Sequence, residues 1–238
     1  MIRISELEFR YRGGDFDLRI PGLDFEKGQK YAIIGPSGSG KTTLLHLIAG
    51  ILVPQAGSIL IDGQSLQGMA ESKRRDFRIS NFGLVFQEFE LLEYLSILDN
   101  ILLPYRINQS LRLSDAVRSR ARSLAEDVGI SKYLNRHPGE LSQGEKQRTA
   151  VARAILAEPG FLLADEPTGN LDPANKDNIL RLLGGYVERS GTTLITVTHD
   201  REILEFFDTV VDMGELLAAP RGTGTESEAD RFEIGQRQ

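Results

Sequence analysis

Four short runs of nearly unbroken apolar residues punctuate this chain, and each ends in residues able to do chemistry. Tyr31-Ala32-Ile33-Ile34 leads into a glycine-rich loop, and Phe82-Gly83-Leu84-Val85-Phe86 leads into Gln87. Phe161-Leu162-Leu163-Ala164 leads into Asp165-Glu166, and Leu194-Ile195-Thr196-Val197 into Thr198-His199-Asp200. Runs of this length without alternation predict strands buried on both faces of a largely parallel sheet. In such sheets ligands bind beyond the carboxyl ends of the strands. The pattern therefore predicts one crevice lined by Lys41, Gln87, Asp165, Glu166 and His199.

Between the runs the spacing turns helical. Thr42 to Ala49 places Leu45, Ile48 and Ala49 on one face, and Gly50 followed by Pro54 ends the segment. Glu145 to Glu158 turns Val151, Ala154 and Ile155 inward and stops at Pro159. From Glu88 to His137 leucines recur at helical spacing among many charges with no strand-like run, which predicts a helical subdomain inserted over about 88–140. The opening MIRISELEFRYR alternates apolar and polar residues, so it predicts a strand rather than a basic segment followed by an apolar secretion core. Residues Pro220 to Gln238 are polar, glycine-bearing and poor in aliphatics, the composition of a disordered tail behind a single domain at 1–219.

Composition sharpens this picture only at its edges. The 238 residues are 40% apolar and 26% charged, enough for one sizeable core with a small subdomain beside it. The longest apolar stretch, Leu44 to Val53, contains His46 and falls well short of the roughly 18 residues needed to span a bilayer. With no cysteine there are no disulfides or thiolate metal sites, and cytoplasmic residence is the default expectation. Thirty-four acidic against 28 basic residues leave a net charge of −6, which disfavours nucleic acid as a partner. The basic clusters Lys73-Arg74-Arg75 and Arg118 to Arg122 read as solvated helix faces.

Two motifs carry specific chemistry. Gly35-Pro36-Ser37-Gly38-Ser39-Gly40-Lys41-Thr42, followed by Thr43, satisfies G-x-x-x-x-G-K-[ST] between a predicted strand and a predicted helix. The glycines let backbone N–H groups wrap around phosphate oxygens, and the helix adds about +0.5 charge at its N-terminus. Lys41 is positioned to bridge β- and γ-phosphates, and the Thr42 hydroxyl to ligate Mg²⁺. Asp165 and Glu166 can divide two roles, because adjacent carboxylates point in different directions: Asp165 serves Mg²⁺ while Glu166 orients or deprotonates the attacking water.

Between these motifs lies Leu141-Ser142-Gln143-Gly144-Glu145, a second glycine motif, which resembles the LSGGQ signature of the ATP-binding cassette family. The likeness extends from Tyr11 to about Asp212, with seven motifs in the family's order. It implies an α/β P-loop NTPase of the RecA-like kind: a mostly parallel sheet, an antiparallel β subdomain near the N-terminus and an inserted α-helical subdomain. It also implies that Tyr11 stacks on adenine, with Phe9 as the alternative ring, and that Gln87 touches Mg²⁺ or the water and faces a transport partner. By the same resemblance, Asn170-Leu171-Asp172 crosses a dimer interface and His199 contacts the γ-phosphate. Ser142 and Gly144 would complete the ATP site of a second copy, so the implied working unit is a homodimer. His46 and His137 read as structural.

The signature departs from the family's common form at two places. Gln143 replaces a glycine whose substituent can point away from phosphate, and Glu145 replaces glutamine at a helix start, where a carboxylate suits the helix dipole. The family's lipoprotein-releasing members are similar in carrying glutamate there. Leu163 to Asp172 and Leu98 to Pro104 look like the branch that includes the lipoprotein-releasing, macrolide-export and cell-division ATPases. That resemblance implies an ATPase that closes on ATP and drives a separately encoded permease, peripheral on the inner face of the cell membrane. Two alternatives stand beside it: a nucleotide-gated scaffold of the cell-division type, and a soluble cassette ATPase of translation or DNA repair.

Overall fold

The computed structural model describes residues 1–13, 16–169 and 171–218. The expected tail at 220–238 and Asn170 of the interface loop lie outside the described residues. The elements are β1 Ile2–Arg10, β2 Asp17–Phe25, β3 Lys30–Ile34, α1 Lys41–Ile48, β4 Ala56–Ile61, β5 Gln64–Ser65, α2 Glu71–Asn81 and β6 Phe82–Val85. They continue as α3 Ile97–Ile101, α4 Leu103–Ile107, α5 Asp115–Asp127, α6 Gln143–Ile155, β7 Phe161–Asp165, α7 Pro173–Ser190, β8 Thr193–Val197, β9 Thr209–Asp212 and α8 Met213–Ala218.

The four apolar runs all lie in one parallel sheet of order β6-β7-β8-β3-β9. Its register alternates side chains between two cores. Phe161, Leu163, Ile195 and Val197 pack with α1 and the N-terminal sheet, whereas Leu162, Ala164 and Leu194 pack with Val151 and Ile155 of α6 and Ile179, Leu183 and Val187 of α7. Both sets are apolar, which is why these strands read as unbroken runs. The N-terminal strands form a separate antiparallel sheet of order β2-β1-β4-β5. Helix α1 is sandwiched between the two sheets, so Thr43, Leu44 and Leu47 are buried as well as the predicted face.

A third core holds the helical segment between Gln87 and the signature. Ile97, Ile101, Val117, Ala121 and Ala125 of α3 and α5 pack on Ala152 and Leu156 at the end of α6. Helix α6 therefore presents one face to the parallel sheet and another to α3 and α5. The serines Ser96, Ser114 and Ser142 cap α3, α5 and α6, each accepting from the backbone N–H three residues on. Asn100, fully buried, accepts from Leu92 N (2.7 Å) and donates to the carbonyls of Leu92, Leu95 and Ser96. That single side chain fixes the loop leading into α3.

Boundaries shift from the sequence-based expectation where caps decide them. Helix α6 begins at Gln143 rather than Glu145 because Ser142 caps it, and α1 begins at Lys41 rather than Thr42. β6 stops at Val85, leaving Phe86 and Gln87 in the following turn.

Candidate active site

The chain leaves β3 at Ile34 and turns through Gly35 to Gly40 before α1. Gly35, Gly38 and Gly40 all have positive φ, at 149°, 79° and 92°. At Gly40 a Cβ would stand 2.7 Å from Phe16 Cζ and 3.1 Å from Leu18 Cδ1, so only glycine lets the N-terminal sheet close over the start of α1. Ser39 N donates to Pro36 O (3.2 Å), and Lys41 Nζ lies over the loop, donating to the carbonyls of Gly35 (2.9 Å) and Pro36 (3.0 Å). These lysine bonds hold its charge over the loop.

β7 delivers Asp165 at its last position, only 9% exposed. Burial pushes its carboxyl above the ordinary range; a hydrogen bond from Thr42 and the charges of His46 and Lys41 offset this only in part. At Glu166 the backbone turns left-handed, φ 47°, and its N–H donates to Val197 O of β8 (2.9 Å). A non-glycine residue in that conformation costs about 1 kcal/mol, held here by the neighbouring strand. The turn brings Glu166 Oε1 to 2.7 Å from His199 Nδ1. A carboxylate only accepts, so the shared proton belongs to Nδ1.

Ser37, Gly38, Gly40, Lys41, Thr42 and Thr43 share a crevice of about 350 Å³ with Tyr11, Phe16, Gln87, Asp165, Glu166 and Val197. Every strand-end residue expected there lines it except His199, which reaches it through Glu166. Tyr11 follows β1, is 42% exposed, and approaches Thr43 Oγ1 to 3.2 Å; Phe9 is buried in the core behind it. Thr42, Gln87 and Asp165 supply hard oxygen donors, and Ser39 Oγ and Glu166 Oε2 are buried without a protein partner. This donor set fits Mg²⁺, which takes one or two protein groups plus phosphate oxygens and water. Among the described residues no cluster of three His, Cys, Asp or Glu exists that would hold a metal by protein ligands alone.

Ser142 and Gly144 stand outside this crevice. Ser142 is exposed at the start of α6, where it forms a reciprocal capping box with Glu145. Gly144 is buried against Asn175 of α7, whose N-cap Asp172 belongs to the expected interface loop. Beyond β8, Asp200 accepts from Lys176 of α7, tying the loop that carries His199 to that helix.

Several contributing residues were not singled out by the sequence reading. Phe16 lines the crevice from a loop, and nothing local marks it. Arg153 had a signal, a lone charge in the apolar face of α6. Its guanidinium is buried, which lowers its pKa to about 10, and it donates to Phe89 O (2.6 Å) and Glu90 O. Phe89 and Glu90 are themselves left-handed, with φ 61° and 49°, so Arg153 pins the strained turn just after Gln87 to the signature helix. Beside it an apolar groove of about 360 Å³ runs between β6, α2, α4 and α6, walled by Phe82, Leu84, Phe86, Leu103, Pro104 and Ile107, with Arg75 and Arg78 among its lining.

Comparison with known proteins agrees with this geometry. The family model described as ABC transporter matches residues 18–169. The lipoprotein-releasing system ATP-binding protein LolD of Chromohalobacter salexigens is 40% identical over 221 residues, covering 91% of this chain and 92% of that protein. The macrolide export ATP-binding/permease protein MacB of Rhodopirellula baltica is 38% identical over 98% of this chain, which spans 35% of its length. The dimeric, ADP- and Pi-bound ATP-binding cassette MJ0796 superposes with a TM-score of 0.80 at 30% identity, over 89% of this chain and 94% of its own. A phosphate loop, a carboxylate pair and a capped signature helix in that family's arrangement lead to one conclusion: the chain belongs to the ABC transporter family, as an ATP-binding domain that hydrolyses ATP.

Proposed function

We propose that two copies of this chain close on two ATP molecules and thereby drive a separately encoded membrane permease, in lipoprotein release or export of the mechanical type. The observation that carries this reading is the separation of the exposed Ser142 from its own crevice, since a γ-phosphate held at Lys41 can be met by that hydroxyl only from a second copy. The N–H groups of Gly35 to Gly40 cradle the phosphates, Lys41 bridges the β- and γ-phosphates, and Tyr11 stacks on adenine. Thr42, Asp165 and Gln87 hold Mg²⁺, which when bound neutralises charge building on the phosphate oxygens. Glu166, oriented through His199, takes a proton from the attacking water. The water oxygen bonds to the γ-phosphorus, the bond to the β-phosphate oxygen breaks, and ADP and phosphate result.

The apolar groove beside Gln87 suits the permease contact, because a segment seated there would touch the turn that Arg153 ties to the signature helix. Among the described residues no helix is long and apolar enough to cross a membrane, so attachment to the inner membrane face would run through that partner. Glu166→Gln tests the chemistry: nucleotide affinity is kept while hydrolysis slows by roughly 10² to 10⁴, the usual worth of a general base. Ser142→Arg tests the shared site, blocking ATP-dependent dimers while monomers still bind ATP. Parental turnover in the first variant, or lost ATP binding in the second, would refute the assignment.

A further inference from the structure

The side chain that replaces the family's glutamine at the signature occupies the very hydroxyl that the shared site needs. Ser142 Oγ donates to Glu145 Oε2 at 2.8 Å, and Ser142 N donates to the same oxygen at 2.8 Å. In return Glu145 N donates weakly to Ser142 Oγ at 3.4 Å. A serine hydroxyl has one hydrogen, and here it is already committed. A phosphate oxygen only accepts, so it can bind this exposed hydroxyl only after the bond to Glu145 is given up.

We infer that Glu145 acts as a positioning residue that holds back the Ser142 hydroxyl and thereby sets the affinity of ATP-driven closure. The inference rests on the shared-site reading above and adds to it a residue-specific control. Glutamine would behave differently at the same place. Its neutral amide oxygen, standing where Oε2 does, would accept from Ser142 N and Oγ more weakly than the carboxylate, so the hydroxyl would turn to phosphate at a lower cost. The substitution would also remove a negative charge from the neighbourhood of an incoming phosphate. The glutamate is firmly ionised: burial raises its carboxyl, but bonds from Tyr133 and Ser142 and the charge of Arg148 outweigh this and leave it below the ordinary range. The capping box is thus a small intrachain competitor of the second copy's nucleotide.

The test uses the full chain carrying Glu166→Gln, so that ATP persists, and measures the monomer–dimer equilibrium by sedimentation with Mg²⁺-ATP. Adding Glu145→Gln is expected to tighten the dimer by about tenfold for each shared site, since a charge-assisted hydrogen bond is worth about a decade in an equilibrium constant. Monomer affinity for ATP, read at protein concentrations below dimerisation, stays the same, and so does the melting temperature, because the cap survives. Unchanged or weakened dimerisation by a Glu145→Gln protein that melts normally overturns the role of Glu145. Adding Ser142→Arg to the Glu166→Gln chain separates the two levels of argument. If that protein still dimerises on ATP, the shared-site reading itself fails; if it does not, the Glu145 result stands or falls alone.

Discussion

Gly144→Ala isolates what the second glycine of the signature does inside one chain, before any second copy is involved. An alanine Cβ there would stand 2.5 Å from Asn175 Oδ1 and 2.7 Å from its Cγ, roughly an ångström closer than such atoms tolerate. Asn175 cannot yield freely, because its Oδ1 accepts from Arg148 Nη1 (3.0 Å) and its Nδ2 donates to the cap residue Asp172 (2.6 Å). Moving it sacrifices those two bonds, at about 1 kcal/mol each, while alanine's better helix propensity returns up to about 1 kcal/mol. The expected net is a loss of about 1–2 kcal/mol in urea unfolding at unchanged slope. The double-mutant cycle makes the reasoning sharp. In an Asn175→Ala background the clash is gone, and Gly144→Ala becomes stabilising by about 0.5 kcal/mol or more. The same destabilisation in both backgrounds would refute the idea that Asn175 is what requires glycine at 144.

Two further outcomes follow from buried charge. Arg153→Met removes a guanidinium whose burial lowers its pKa to about 10, a penalty of about 3 kcal/mol. It also loses two charge-assisted bonds worth about 1.5–3 kcal/mol each, so urea denaturation should show a net loss of up to about 3 kcal/mol. Turnover should fall more than ATP affinity, as the turn after Gln87 loosens; a variant neutral in stability and turnover would contradict this. Asp165→Asn should raise the melting temperature of the protein free of nucleotide and Mg²⁺ while abolishing turnover. Asp165 is held above its ordinary value of 3.8, so the stability linked to it is fully present below about pH 4 and is lost as pH rises through the raised value. The gain from asparagine should therefore be absent below about pH 4, grow above it and level off near neutrality. A melting difference independent of pH would count against this account.

The candidate crevice was legible in the sequence because each of its candidate groups lies at or just beyond the end of a strand buried on both faces. Such strands have no polar face to alternate, so their apolar runs announce both the sheet and the crevice at its carboxyl edge, from Lys41 through Asp165 to Glu166. The antiparallel N-terminal sheet was legible in part through the alternation in β1. Helix α7 and strand β9 were not singled out by the sequence reading. The register of one strand against the next decided that His199 would meet Glu166, residues far apart in sequence, because Glu166 N reaches across to Val197 O. Packing decided that Phe16 would close on Gly40 and that Asn175 would require glycine at 144. It also decided that Arg153 would hold the turn after Gln87. Local periodicity records which residues are buried and where catalytic groups can emerge. Hydrogen-bond partners distant along the chain leave no periodic trace, and only the folded arrangement fixes whether the hydroxyl of Ser142 is free or spent on Glu145.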